Sequence, residues 1–366
     1  MKLLTTVCST LLVTSLLSVC SSSALAAGQQ HATRKPPITP ATAKTGDDVH
    51  FNEWKEVSAF IDDMVKKNGF QADKLNALFS QLRFVDSARQ LVKPAPPGKP
   101  KNWKAYRARF IEPRRIDAGV AFWNQYSAAL NRAEQQYGVP ADIIVGLIGV
   151  ETIFGQLTGR YRVMDVLSTL AFAYPETPNR EARMQFFRGE LENMLLLARD
   201  SRLDPLVFRG SYAGAIGWCQ FMPGSIRKYA VDFDGDGVIN LTDSPVDAIG
   251  SVAHYLAEHG WKRNMPVAFP GTLTSTPPSP QLAEILAQGL QTSYTLSQLK
   301  PVITTADPTA PDQLLYGVAD LQNGDDPDEY WLVTDNFYAI TKYNRSYFYA
   351  MSVFELGRII RSAKNH

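Results

Sequence analysis

From Phe51 onward, apolar residues recur mostly at three- and four-residue intervals, the period of an amphipathic helix. Trp54, Phe60, Ile61, Met64 and Val65, followed by Leu75, Leu78, Phe79 and Leu82, predict a pair of packed helices across 51–91, broken at Asn68-Gly69. The same spacing predicts helices over 116–137, around 166–172 and 183–199, over 247–261 and from Phe348 to Arg361. Between 265 and 328 it gives way to short apolar patches among Pro, Thr and Gly, which suits a small module containing strands. Tyr330-Trp-Leu-Val-Thr334 reads as a strand. The fold class expected is mainly α with a minor β component (α+β).

Glu151 interrupts this pattern. In Pro140-Ala-Asp-Ile-Ile-Val-Gly-Leu-Ile-Gly-Val-Glu151-Thr-Ile-Phe-Gly155, Pro140 suits a first helical turn and Gly155 a position just past the last. Ile144, Leu147, Ile148 and Glu151 fall three and four apart, so Glu151 continues an aliphatic stripe and should face inward. Desolvation and the negative end of the helix dipole would both raise its pKa. A carboxyl that stays protonated near neutral pH is a candidate general acid. A glutamate at a frayed helix end, with its head in water, fits this helix equally well when the helix is read alone.

Composition narrows the setting. The 366 residues are 45% hydrophobic and 20% charged with a net charge of +1, an ordinary globular balance that points to neither nucleic acid nor membrane as a partner. Met1-Lys2, an apolar run from Leu3 to Val19, and Ala24-Leu25-Ala26 predict a signal peptide over 1–26 and export. Leu17-Ser-Val-Cys20 also resembles a bacterial lipoprotein box, so membrane attachment through a lipidated Cys20 is the alternative to simple cleavage. Residues 27–48, polar and rich in Pro, Thr and Ala, read as a flexible tether. Cys8 and Cys20 lie in the export segment, which leaves Cys219 alone in the mature chain and no internal disulfide to staple the fold.

Three other stretches carry candidate chemistry. Trp103-Lys-Ala-Tyr106-Arg107-Ala-Arg109-Phe110-Ile-Glu-Pro113-Arg114-Arg115 mixes aromatic with basic residues. In an exported chain this mixture suits an anionic glycan or peptide better than nucleic acid, and the plainer alternative is a helix with a solvated charged face. Gly210-Ser211-Tyr212-Ala-Gly214-Ala-Ile-Gly217-Trp218-Cys219-Gln220-Phe-Met-Pro223 allows close backbone approach, either to a ligand met by Ser211, Tyr212 and Gln220 or to a neighbouring helix. The stretch from Asp232 to Asp243 matches the twelve-residue calcium loop. Asp232, Asp234 and Asp236 stand at positions 1, 3 and 5, Gly237 at the sharp turn, the Val238 carbonyl at position 7, and Asp243 at position 12 in place of the longer glutamate. Ile239 suits the short strand inside such loops, and His254 and His259 read as packing or surface residues.

Several motifs together resemble the bacterial membrane-bound type B lytic murein transglycosylases over about residues 50–362. They are Trp103-x-x-Tyr106-Arg107 with Phe110-Ile-Glu-Pro113, Gly149-Val-Glu151-Thr-x-Phe-Gly155, the 210–223 stretch, the acidic loop, Asp247 to Tyr255, and Ile340-Thr-Lys-Tyr343-Asn344-Arg-Ser-Tyr347. The resemblance implies a lysozyme-like helical core with an EF-hand-like calcium loop. Its expected layout is an N-terminal helical domain at 49–125, a catalytic core at 126–264, a small mixed or β module at 265–334 and a C-terminal segment at 335–366 that completes the core.

It further implies cleavage of the β-1,4 bond between N-acetylmuramic acid and N-acetylglucosamine in peptidoglycan. Glu151 would protonate the leaving oxygen and then accept the proton of the muramoyl C6 hydroxyl, which closes a 1,6-anhydro ring. Tyr106, Ser211, Gln220, Tyr255, Tyr343 and Asn344 would line the sugar groove, with Ser211 and Asn344 near the charge-bearing ring or its N-acetyl group. Calcium would be structural, with no organic cofactor. The implied setting is the periplasm of a Gram-negative bacterium, with glycan strands and other cell-wall enzymes as candidate partners. Ser244 looks like an insertion after the loop, and the stretch after Tyr174-Pro175 looks lengthened. Two rival readings are a non-catalytic peptidoglycan-binding scaffold and a water-using muramidase with a second acid, such as Asp142 or Asp165, near Glu151.

Overall fold

A computed structural model describes residues 50–94, 98, 100–289 and 291–366; the signal peptide and tether predicted above lie outside the described residues. A 3-10 turn at Phe51–Glu53 precedes α1 (Lys55–Asn68), α2 (Ala72–Phe79), α3 (Asp86–Leu91), α4 (Trp103–Arg107), α5 (Pro113–Gln125), α6 (Ser127–Tyr137) and α7 (Ala141–Thr152). There follow β1 (Tyr161–Arg162), α8 (Val163–Ala173), α9 (Arg180–Asp200), β2 (Arg209–Gly210), α10 (Pro223–Tyr229) and α11 (Pro245–Glu258). The remainder holds β3 (Ala268–Leu273), α12 (Pro280–Ala287), α13 (Leu296–Leu299), β4 (Ile303–Thr304), β5 (Gly317–Leu321), β6 (Glu329–Val333), α14 (Asp335–Tyr343) and α15 (Tyr347–Lys364). The helix expected over 116–137 is two, because Tyr126 at φ −110° and ψ 23° leaves the helical region and divides α5 from α6. No helix among the described residues is long and apolar enough to cross a membrane.

The chain forms two compact units, one of Pro94–Val163 with Asn193–His366, the other of the described part of Val13–Lys93 with Met164–Glu192. In the latter, the Phe60 ring meets Phe79 and Phe172 at 6.0 and 5.9 Å. The amides of Arg83 and Val85 donate to the Asp165 carboxylate at 3.1 Å and the Thr169 hydroxyl at 3.0 Å. Asp165 is buried and braces the chain between α2 and α3.

In the larger unit, α7 is buried on every side from Ala141 to Val150, so the single inward stripe expected from its spacing becomes a helix with no solvent face. Two glycines let α15 lie directly on it. A Cβ on Gly146 would stand 2.2 Å from the Val353 carbonyl oxygen, and one on Gly357 would stand 2.1 Å from that of Asp142. Arg361 of α15 pairs with the buried Asp142 at 2.9 Å, which supplies the charge partner that a buried carboxylate requires.

The strands β4-β3-β6-β5 make an antiparallel sheet in which Leu332 of β6 stands opposite both Phe269 of β3 and Val318 of β5. Leu282 and Ile285 of α12 and Leu299 of α13 complete one core with Phe269, Val302 and Tyr316. Beyond the sheet, the Thr334 hydroxyl caps α14 and the Ser346 hydroxyl caps α15 by accepting the Tyr349 N–H, so the start of α15 is fixed close to the end of α14.

Candidate active site

Glu151 is half-buried, where every other residue of α7 is buried. The helix ends immediately after it in three successive left-handed residues, Ile153 (φ 50°), Phe154 (φ 53°) and Gly155 (φ 79°). The turn thus begins two residues before the expected glycine, on a β-branched side chain whose left-handed backbone costs about 1–2 kcal/mol. The turn is pinned on both sides. The Thr152 hydroxyl donates to the Trp218 carbonyl at 2.8 Å and accepts the Gly155 N–H at 3.0 Å. The buried Arg115 donates to the carbonyls of Gly149 at 2.9 Å and Arg109 at 2.6 Å, so this arginine, read from sequence as part of a basic face, holds the last turn of α7.

The Tyr349 hydroxyl donates to Glu151 Oε1 at 2.5 Å. Burial raises the Glu151 pKa from 4.5 to about 7, and the Tyr349 hydrogen bond pulls it the other way. Desolvation is therefore the dominant cause, as expected for a carboxyl against an apolar wall. Around it stand tyrosines that remain neutral donors at pH 7. Tyr106 is pushed up to about 12 by burial and then by the Glu151 charge, while Tyr343 and Tyr349 are raised well above the usual range, again by burial first. The Tyr343 ring lies parallel to that of Tyr349 at 6.3 Å, and its hydroxyl donates to the Cys219 carbonyl. Tyr255 donates to the Lys342 carbonyl at 2.8 Å and packs between Tyr343 at 4.9 Å and His259 at 3.9 Å.

Of the sequence-predicted groove residues, Tyr106 and Tyr343 therefore share the electrostatic surroundings of Glu151, and Tyr255 backs Tyr343. Gln220 and Ser211 lie in the glycine-rich stretch that Trp218 ties to Thr152. Gln220 adopts φ 51°, and its Nε2 donates to the carbonyls of Thr158 and Gly217, both at 3.0 Å. The Ser211 hydroxyl accepts the amides of Ala213 at 3.3 Å and Ala215 at 3.1 Å and so braces its own loop. Asn344 stands at the C-cap of α14, where its carbonyl accepts the Ser346 N–H at 2.7 Å. Tyr349, Thr152 and Trp218 were not singled out as functional from sequence. The available signal was Tyr349-Val353-Leu356-Ile360, a helical stripe in which one aromatic has a polar tip.

The acidic loop brings together Asp232, Asp234 and Asp247, each offering an oxygen within 4.8 Å of the others. Asp236 and Asp243, also expected as ligands, lie outside this group. Asp236 accepts the Val238 N–H at 2.8 Å, and Asp243 stands 3.4 Å from the Asn240 amide. Asp247 is fully buried and accepts the amides of Phe233 at 2.7 Å, Asp234 at 3.2 Å and Asn240 at 2.8 Å. Its signal was the Ser244-x-x-Asp247 capping pattern just past the loop. Gly237 holds φ 91°, as the sharp turn requires. Ile239 is 47% exposed and the loop contains no strand, since a single loop has no second one to pair with. The loop is fastened to the groove: the Trp218 N–H donates to the Leu241 carbonyl at 2.9 Å and its Nε1 to that of Thr242 at 3.0 Å.

A half-buried acid on a helical core, ringed by neutral tyrosines, has the form of a glycan-cleaving site. The family model for the transglycosylase SLT domain matches residues 51–358, and the chain belongs to that family. It is 45% identical over 314 residues to the membrane-bound lytic murein transglycosylase B of Escherichia coli strain K12, covering 83% of this chain and 82% of the relative. The Escherichia coli lytic transglycosylase Slt35 in complex with calcium matches with a TM-score of 0.75 and 43% identity, over 86% of this chain and 95% of that one. SltB3 of Pseudomonas aeruginosa in complex with NAG-anhNAM-pentapeptide matches with a TM-score of 0.70 and 27% identity, over 85% and 79%. The protein is thus an enzyme, a peptidoglycan lytic transglycosylase with a lysozyme-like, mainly helical fold.

Proposed function

We propose that Glu151 runs the whole reaction as its single carboxyl. Protonated near neutral pH, it gives its proton to the glycosidic oxygen between N-acetylmuramic acid and N-acetylglucosamine, and the bond from C1 to that oxygen breaks. The resulting carboxylate takes the proton of the muramoyl C6 hydroxyl, whose oxygen bonds to C1 and closes the 1,6-anhydro ring. No water is consumed. Tyr349 holds Oε1, and Oε2 is the oxygen left to exchange the proton. Tyr106, Gln220, Tyr255 and Tyr343 orient sugars or the acid, and Ser211 and Asn344 serve the charge-bearing ring or its N-acetyl group.

The observation that carries this reading is the solitude of Glu151: burial alone raises its pKa, against the opposing pull of the Tyr349 hydrogen bond, and no second carboxylate among the described residues contributes. A glycosidase pair stands about 5–9.5 Å apart. Asp142 lies nine residues earlier on α7, about 13 Å along the axis, and is paired with Arg361. Asp165 is engaged by the Arg83 amide. The anhydromuramoyl ligand of the Pseudomonas aeruginosa relative supports the same product here. Mass spectrometry of digested peptidoglycan tests it: anhydro ends are expected, and products heavier by one water would establish the muramidase instead.

We infer that the acidic loop holds calcium, supported by the calcium complex of Slt35 and by three carboxylates whose mutual repulsion an ion would cancel. Asp232, Asp234 and Asp247 are the residues present for it; calcium would supply positive charge that fixes the loop. The sequence before residue 50 supports export to the periplasm, and the mass of the mature N-terminus distinguishes cleavage after Ala26 from lipidation at Cys20. Limited proteolysis near residues 264 and 334 would mark the proposed boundaries of the β-containing module.

A further inference from the structure

A cleft of about 520 Å³ is lined by Lys104 and Arg107 of α4, Asn323, Asp326 and Pro327 of the β5–β6 turn, Glu329 of β6 and Glu355 of α15. Its walls are fixed. Asn323 is buried and accepts the Lys104 N–H at 2.8 Å, the fully buried Trp103 donates its Nε1 to Glu329 at 3.2 Å, and Arg107 pairs with Glu355. Its mouth is not. Lys104 and Asp326 face each other at 3.9 Å with side chains 80% and 60% exposed, a separation and exposure at which the pair contributes little and opens readily. The cleft therefore presents one releasable cation and one releasable anion on a rigid floor.

We propose that this cleft binds the peptide stem of the glycan, its Lys104 side taking a stem carboxylate and its Asp326 and Glu329 side a stem ammonium. This rests on the peptidoglycan reading above. The position suits a substituent of the sugar at Glu151. Tyr106, one residue before Arg107, feels the Glu151 charge, and Phe348, which packs on Tyr106 at 5.4 Å, precedes the Tyr349 that holds Glu151. Phe348 and Glu355 are seven residues apart on one face of α15, about 10 Å along the axis. Roughly three residues of extended peptide span that distance.

The test compares intact glycan strands with strands whose stems an amidase has removed, using the wild-type chain and the surface variants Lys104→Glu and Asp326→Lys. The expected result is that each variant lowers kcat/KM on stem-bearing strands about tenfold more than on stripped strands, through KM. The double variant, which keeps one charge of each sign but at exchanged positions, should not recover the difference; full recovery would mean that only the Lys104–Asp326 pair matters and would overturn the stem site. Calorimetry with a free stem tetrapeptide should give matching losses of affinity. Turnover of both substrates with unchanged ratios and unchanged peptide binding would overturn the stem site while leaving the transglycosylase reading intact. Failure to form anhydro ends on either substrate would instead overturn the underlying reading.

Discussion

The molecule keeps carboxyl groups in two opposite ways. At the end of α7, Glu151 stands alone among aliphatic and tyrosine side chains, and burial makes it weakly acidic, with a pKa of about 7. In the 232–247 loop, three aspartates crowd within 4.8 Å, and each accepts backbone amides or a hydroxyl: Asp232 takes Gly235 and Gly237, Asp234 takes the Ser244 hydroxyl, and Asp247 takes three amides. At Asp234 the Ser244 hydroxyl holds the carboxyl below its ordinary pKa. The same functional group holds its proton at Glu151, with a single donor among the described residues, and releases it more readily at Asp234, which accepts the Ser244 hydroxyl. Trp218 joins the two places, with its backbone carbonyl on Thr152 and its N–H groups on the loop.

If isolation is what makes Glu151 an acid, replacing it has the largest effect available. Glu151→Gln keeps the shape and removes the proton, so turnover of peptidoglycan should fall by about a thousandfold or more, given that general acid–base groups contribute roughly 10²–10⁴-fold. Dye-release or muropeptide assays would show this, and retained activity would remove Glu151 from the chemistry.

The same variant should reveal what burial costs. A carboxyl raised from 4.5 to about 7 binds its proton more tightly folded than unfolded, so its contribution to stability is lost as pH rises from about 4.5 through 7. Glu151→Gln should then be the more stable protein at pH 8, by at most about 3 kcal/mol, with the gap vanishing below pH 4.5. Denaturant melts at the two pH values measure it. A gap independent of pH would mean that packing, not protonation, differs.

The clustered aspartates should respond to an ion. Removing calcium with a chelator should lower Tm, by an amount equivalent to about 2–3 kcal/mol if the ion is supplied at a hundredfold its Kd. Asp247→Asn should abolish this dependence, whereas Asp243→Asn should leave most of it, because Asp247 belongs to the three-carboxylate group and Asp243 does not. Equal behaviour of the two variants would return the closing ligand to position 12 of the loop.

The smallest effect concerns Tyr349, the one donor to Glu151 among the described residues. Tyr349→Phe removes a hydrogen bond that lowers the Glu151 pKa, so the fall of kcat/KM at high pH should move to higher pH, and kcat should drop about tenfold as the carboxyl loses its anchor. Loss of activity without movement of the pH profile would mean that Tyr349 only fills space.

What the sequence made legible is what lies close together along the chain. The run from Pro140 to Gly155 displays its misplaced carboxylate, and the spacing of Asp232, Asp234 and Asp236 around Gly237 displays its loop. Tyr349 is 198 positions from Glu151 and reaches it because Gly146 and Gly357 let two helices touch backbone to backbone, which no local pattern encodes. Asp247 hides in the first turn of α11, where it looks like a helix-capping residue and is also the buried brace of the loop. The basic stretch divides for a related reason: Trp103 and Arg115 serve the interior, and exposed Lys104 and half-buried Arg107 line a cleft completed by residues more than 200 positions away.

The central claim is that one isolated carboxyl titrates near neutral pH. Carbon-13 NMR of protein labelled at glutamate carboxyls, with Glu151→Gln supplying the assignment, reads that pKa directly. A midpoint near 7 in the wild type, moving upward in Tyr349→Phe, is the result predicted here; a midpoint at the ordinary 4.5 would contradict a single group acting first as acid and then as base.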